Sequence, residues 1–201
     1  MIINYGDKEL NYIKSKDPKL GVYIDKIGFI TIETSGNIYD DLVYNIIGQM
    51  LSYKAASTIS KRFVTLVKEV RPEIVAKISN EEIKSCGLSN NKTIAIKELS
   101  QKIINKEIDF EQLDELSNQD LISKLKKIRG VGTWTAEMIA TFTLGRKNIF
   151  SYDDVALKNG LIRTHGYKTL SKVRFERLRR LYSPYCTIAA LYYYRINDME
   201  K

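Results

Sequence analysis

The sequence is poor in the residues that build disulfide, metal and membrane proteins. It holds two cysteines in 201 residues, Cys86 and Cys186, far apart in the chain. A zinc site or an iron–sulfur cluster needs more ligands at closer spacing, so the expectation is free buried thiols in a reducing compartment. The one histidine, His165, is expected to be a surface or packing residue. No apolar run approaches the roughly 18 residues of a membrane-spanning helix. The segment Met1–Asp7 lacks the basic-then-apolar order of a signal peptide. With three prolines, no Ser/Gly-rich stretch and no repeat of fixed period, nothing marks a domain boundary. These absences point to one soluble, cytoplasmic unit spanning residues 1–201, without a membrane partner, with or without two helical lobes.

What is present is helix and positive charge. A hydrophobic content of 44% with 28% charged residues is ordinary for a globular chain and argues against disorder. The formal net charge is +8, which favours a polyanionic partner without identifying one. Apolar residues recur at helical spacing in Leu42, Ile46, Ile47 and Leu51, and again in Ala55, Ile59, Phe63, Leu66 and Val67. Asn80 is expected to cap a helix with acids in its first turn, closed by Gly87. Ser117 and Ser171 open others, and Pro184 fits a first helical turn. Only Phe29–Thr34 resembles a strand, and one strand makes no sheet, so it is taken as an extended connection. The predicted fold is all-α, with about ten short helices.

The segment from Leu125 to Lys158 carries the chemistry. Gly130, Val131 and Gly132 form a tight turn between two helical patterns, with a helix-hairpin-helix expected over about 118–143. Glycines there let backbone N–H groups of Gly130, Gly132 and Thr133 approach a phosphate at a helix start, with Lys126, Lys127 and Arg129 adding charge. A plain corner between helices would use the same glycines. Some twenty residues on stands an acidic pair, Asp153 and Asp154, suited to capping the helix that follows, to chemistry, or to both. The stretch from Lys158 to Arg180 is strongly basic, with Lys158, Arg163, Lys168, Lys172, Arg174, Arg177, Arg179 and Arg180 against Glu176. It is either a solvated helix face or a phosphate-contacting surface.

These residues resemble the helix-hairpin-helix, Gly/Pro-rich loop, aspartate (HhH-GPD) superfamily of DNA glycosylases, and within it the 3-methyladenine DNA glycosylase II group. Three further stretches agree. The run from Ile46 to Ala56 (IIGQMLSYKAA) resembles the group's I-I-G-Q-Q-x-S-x-K-A-A signature, and that from Cys86 to Lys92 (CGLSNNK) its G-L-S-x-x-K turn. The run from Pro184 to Ala190 (PYCTIAA) resembles its P-x-R-S-x-A-A element, with Cys186 in place of the usual Arg. The resemblance spans about residues 42–194.

The resemblance implies hydrolysis of the bond between a damaged base and deoxyribose in double-stranded DNA. It makes Asp154 the catalytic carboxylate, stabilising an oxocarbenium-like sugar and orienting water, with Asp153 a cap or spectator. Gly130, Val131, Gly132 and Thr133 become the DNA-backbone clamp. Where strand-nicking relatives keep a lysine this chain has Trp134, which implies a monofunctional enzyme that leaves an abasic site. Trp134, Met138 and Tyr194 are the implied base-pocket residues. An indole face suits a cationic purine, while Trp134 also suits a core, and Tyr192, Tyr193 and Tyr194 cannot all face one pocket. Gln49 and Met50 stand at the wedge position that fills the gap left by a flipped nucleotide, although Met50 also suits a buried helix end. No metal and no redox cofactor are expected. A monovalent cation on hairpin carbonyls is compatible with the family, and the expected state is a nucleoid-associated monomer. A glycosylase for uracil, hypoxanthine or mismatched thymine, or a non-catalytic DNA-binding module, remain the alternatives.

Overall fold

A computed structural model describes residues 3–199; Met1 and Ile2, on which part of the signal-peptide reading rests, lie outside them. The fold is all-α. Twelve α-helices follow one another among the described residues, two more than expected: α1 (Asp7–Lys16), α2 (Pro18–Ile27), α3 (Ile38–Gly48), α4 (Tyr53–Val67), α5 (Pro72–Val75), α6 (Asn80–Ser85), α7 (Asn90–Ile104), α8 (Asn118–Leu125), α9 (Thr133–Met138), α10 (Val155–His165), α11 (Lys172–Tyr182) and α12 (Cys186–Asp198). A 3₁₀ turn lies at Leu113–Glu115, and a π-helical segment, Ile139–Thr143, continues α9. Among the described residues no helix is long and apolar enough to cross a membrane.

Serine starts five of the twelve helices, because its hydroxyl satisfies an amide that the helix leaves unpaired. Ser52, Ser89, Ser117 and Ser171 each accept from the third residue of the following helix. The cap of α6 is Ser79, one residue before the expected Asn80. Ser79 and Glu82 close a reciprocal box that Asn80 has no partner for. Leu51 lies beyond α3 and is partly exposed. Pro184, expected in a first turn, precedes the α12 cap residue Tyr185 and follows a cis Ser183–Pro184 peptide. Phe29–Thr34 is extended, with an isolated bridge at Glu33, as expected of a connection.

The chain forms two compact units: residues 35–139, and residues 1–34 together with 140–201. The contiguous unit is centred on Leu42, Ile46, Ile47, Phe63, Ile83, Ile96 and Leu121, all fully buried. Each such side chain contributes on the order of 2 kcal/mol of transfer free energy. The discontinuous unit is built around α12, whose residues 186–193 are all buried, so this helix is apolar on every side and central. Its crossing with α10 is very close. A Cβ placed on Gly160 would sit 2.3 Å from the Tyr193 carbonyl oxygen, so glycine alone fits there.

A polar knot sits inside the same unit. Asp17 caps α2, accepting from Leu20 N at 3.1 Å. Its other oxygen faces His165 Nε2 at 3.2 Å, the Tyr182 hydroxyl and the Tyr193 hydroxyl. Burial alone would push the Asp17 carboxyl up, but the hydrogen bonds from His165 and Tyr182 prevail and hold it at about 2. The Tyr182 and Tyr193 hydroxyls are pushed well above the usual phenol range, chiefly by burial. His165 is therefore a partner in a buried network, not a surface residue, because its ring joins the end of α10 to α2 and α12.

Candidate functional site

In the contiguous unit the hairpin is assembled from local rules. Ser117 caps α8, Leu121 and Leu125 bury its inner face, and Ile128 and Val131 anchor the turn in the core. Val131 N donates to Ile128 O at 3.0 Å. Gly130 has φ +83°, a left-handed conformation that favours glycine, with Ala95 Cβ close behind it. Gly132 is different. It is extended and exposed, and a Cβ built there would meet nothing within 4 Å. The fold thus has no need of glycine at 132, whereas close approach of a ligand to the backbone does. Gly132 caps α9 with no side chain, and Thr133 opens that helix half-buried. Of the nearby cations, Lys126 and Lys127 are exposed, while Arg129 pairs with Glu98 at 3.4 Å.

Trp134 follows on α9 and is 39% exposed, so it is not a plain core tryptophan; Met138, one turn on, is buried. Gln49 and Met50 lie beside the hairpin in this unit. The Gln49 amide donates to the Gly130 carbonyl at 2.7 Å. Met50 is fully exposed with φ +56°, which rules out the buried helix-end alternative. Tyr53, at 91% exposure, stands nearby in sequence. An open groove of about 880 Å³ elsewhere in this unit, lined by Ile38, Tyr39, Ile103 and Phe110 among others, contains none of the candidate residues.

In the discontinuous unit Asp154 is 6% exposed and caps α10, Oδ1 accepting from Leu157 N at 2.9 Å. Oδ2 accepts from the Tyr194 hydroxyl at 3.3 Å, and the Tyr194 ring lies 6.1 Å from that of Phe142 in the π segment. Asp154 is thus a buried helix cap with its second oxygen turned to a tyrosine hydroxyl, while Asp153 is exposed. Tyr192 and Tyr193 are fully buried, which leaves Tyr194 as the member of the trio beside the aspartate. The approach to Asp154 is pinned by Thr187, a residue not singled out in the sequence. Its hydroxyl donates to Arg146 O at 2.6 Å and accepts from Ile149 N at 3.0 Å. The signal was there in the PYCTIAA element, where Thr187 occupies the hydroxyl position. Cys186 donates to Arg179 O at 3.1 Å, and burial pushes its thiol up to about 12. Both cysteines are free and buried.

Part of the basic stretch is structural. Arg163 donates to Asn197 O at 2.8 Å, Arg174 to Thr169 O at 3.2 Å, and Arg179 pairs with Glu176 at 2.8 Å. Lys168, Lys172, Arg177 and Arg180 face solvent, and Lys172 and Lys158 flank the ring of Tyr152. Among the described residues no three His, Cys, Asp or Glu side chains are grouped to hold a metal ion.

An all-helical fold with a glycine hairpin, and with a buried carboxylate capping a later helix, defines a class of helix-hairpin-helix proteins. The model of the HhH-GPD superfamily of base excision DNA repair proteins matches residues 43–184, and the chain belongs to that superfamily. Among similar proteins, DNA-3-methyladenine glycosylase 1 of Schizosaccharomyces pombe is 30% identical over 80% of this chain and 73% of its own length. An alkylbase DNA glycosidase-like protein of the same yeast is 29% identical over 94% of this chain and 93% of its own. The crystal structure of a DNA-3-methyladenine glycosidase from Bacillus halodurans matches with a TM-score of 0.87 at 30% identity, covering 100% of this chain and 94% of that one. The S. pombe 3-methyladenine DNA glycosylase in complex with abasic DNA matches with a TM-score of 0.83 at 27% identity, covering 94% and 95%.

Proposed function

We propose that this protein is a monofunctional DNA glycosylase that removes alkylated purines of the 3-methyladenine kind from duplex DNA and leaves an abasic site. The observation that carries the reading is Asp154, a buried carboxylate fixed by the α10 backbone on one oxygen and by Tyr194 on the other. The similarity to proteins named for 3-methyladenine supports the substrate class, and the similarity to a DNA-bound relative supports the partner.

In this reading the damaged nucleotide is flipped out of the stack. The C1′–N bond breaks and its electron pair stays on the base, neutralising the positive charge that alkylation placed there, so the leaving group needs no proton. This suits a chain whose one histidine is committed to Asp17. The sugar left behind has oxocarbenium character, and the Asp154 carboxylate opposes its charge. Water adds at C1′ and loses a proton to that carboxylate, and from there to solvent. The exposed indole of Trp134 offers a π-face to a cationic purine. It also stands where a Schiff-base lysine would have to be, so no amine nucleophile is available at that position for strand cleavage. The chemistry calls for no metal or redox group. A monovalent cation on hairpin carbonyls would assist phosphate binding, which exchanging potassium for a bulky organic cation in a binding assay would detect.

The test is release of base from methylated duplex DNA by the wild type and by Asp154→Asn, followed by alkali. The expected result is release of 3-methyladenine with alkali-labile abasic sites from the wild type, and DNA binding without release from the variant. Strand breaks without alkali would overturn the monofunctional reading. Release of uracil in preference to methylated purines would overturn the substrate class, and unchanged release by Asp154→Asn would overturn the assignment of the aspartate.

A further inference from the structure

The turn after α3 is braced from two sides. Lys92 Nζ, from the first turn of α7, donates to Ile47 O at 2.9 Å and to Gln49 O at 2.7 Å, closing the carbonyl end of α3. Burial against these carbonyls pulls the Lys92 ammonium below its ordinary range. On the other side, the Gln49 amide donates to Gly130 O, inside the hairpin. Met50 follows the braced residue directly. It is fully exposed and held at φ +56°, a left-handed conformation that is strained for a non-glycine residue and persists where its surroundings enforce it. A simple cap of α3 would require the Lys92 bonds alone; it would not require the bond from Gln49 to the hairpin.

We propose that Lys92 and Gln49 are positioning residues that hold Met50 out as a rigid wedge and lock it to the Gly130–Gly132 hairpin, so that gripping the backbone and entering the base stack are one event. The inference rests on Met50 as the wedge and the hairpin as the DNA grip. A flexible methionine on an unbraced turn would fold back on the protein surface and spend DNA-binding energy on its own ordering. With the brace, insertion needs no rearrangement of the turn.

The experiment compares Lys92→Met, Lys92→Arg, Gln49→Leu and Met50→Ala in the full chain. The substrates are a duplex with one 7-methylguanine beside a 2-aminopurine reporter, and the same lesion strand unpaired. Single-turnover release, reporter fluorescence and thermal unfolding are measured. Lys92→Met is expected to slow release from the duplex about tenfold, to lose the fluorescence rise, and to leave release from the single strand unchanged. Lys92→Arg, which keeps donors at the same place, should recover most of the rate. Combining Lys92→Met with Met50→Ala should be no slower than Met50→Ala alone. If Met50→Ala impairs the duplex reaction while Lys92→Met does not, the brace is wrong and the wedge stands. If Met50→Ala changes nothing, the wedge reading itself falls. Equal slowing of both substrates by Lys92→Met would reduce Lys92 to a structural role and overturn the proposal. Should Lys92→Met not fold, Gln49→Leu, which leaves α3 closed, decides by the same outcomes.

Discussion

Asp17 and Asp154 occupy the same place in their helices and do different work. Both are buried aspartates in the discontinuous unit, each capping a helix and accepting from an amide three residues on. Both reach α12, through the neighbouring residues Tyr193 and Tyr194. Asp17 is surrounded by His165, Tyr182 and Tyr193, a set of donors that turns a carboxylate into a structural fastener. Asp154 is oriented by its helix and by Tyr194, beside the exposed Asp153 and Val155. Position at an N-cap therefore says nothing of role; the donors around the second oxygen decide it.

Four experiments would break or sharpen this contrast. The largest effect is expected at Asp154. Asp154→Asn keeps a capping side chain, so unfolding should shift little while base release falls on the order of a thousandfold, as for loss of a preorganised electrostatic group. The packing that sets both carboxylates against α12 comes next. Gly160→Ala places a methyl on the Tyr193 carbonyl and should cost about 3 kcal/mol, visible as a lower unfolding midpoint in urea.

Acid titration ranks third. Asp17 sits at about 2 when folded against a usual 3.8, so its contribution is complete above pH 4 and is lost as pH falls through 2. That contribution is about 2 kcal/mol, and the loss between pH 4 and 2 should be absent in Asp17→Asn, an already weakened protein. The smallest effect is expected for Tyr194→Phe, which removes one hydrogen bond to Asp154. It should slow base release roughly fivefold, about 1 kcal/mol, with stability unchanged. A Tyr194→Phe enzyme as fast as the wild type would mean that the Tyr194 hydroxyl is not what orients the carboxylate.

The features legible in the sequence are those fixed by short-range chemistry. Serine caps at 117 and 171 announce helices because the hydroxyl acts within three residues, and the glycine turn announces itself for the same reason. The α6 cap reads as Asn80 in place of Ser79 because both side chains cap well, and only the reach of Glu82 separates them. The knot around Asp17 was invisible: Tyr182 and Tyr193 stand more than 160 residues away, and no local pattern ties them together. Helices α1 and α2 are missed even though Asp17 followed by Pro18 is a local start signal, a capping acid before a first-turn proline. Met50 was undecidable, since a methionine suits a core and a wedge equally, and only its exposure separates the two. Trp134 was open for the same reason.

The division of the chain at 34 and 140 also fixes an order of events during synthesis. Residues 35–139 are contiguous, so the half that carries the hairpin and Met50 has all its sequence in hand while the ribosome is still translating. The half that carries Asp154 must keep α1 and α2 waiting until α12 has been made. Under the function proposed above, a nascent chain therefore completes the sequence of the unit that grips DNA before that of the unit that releases the base.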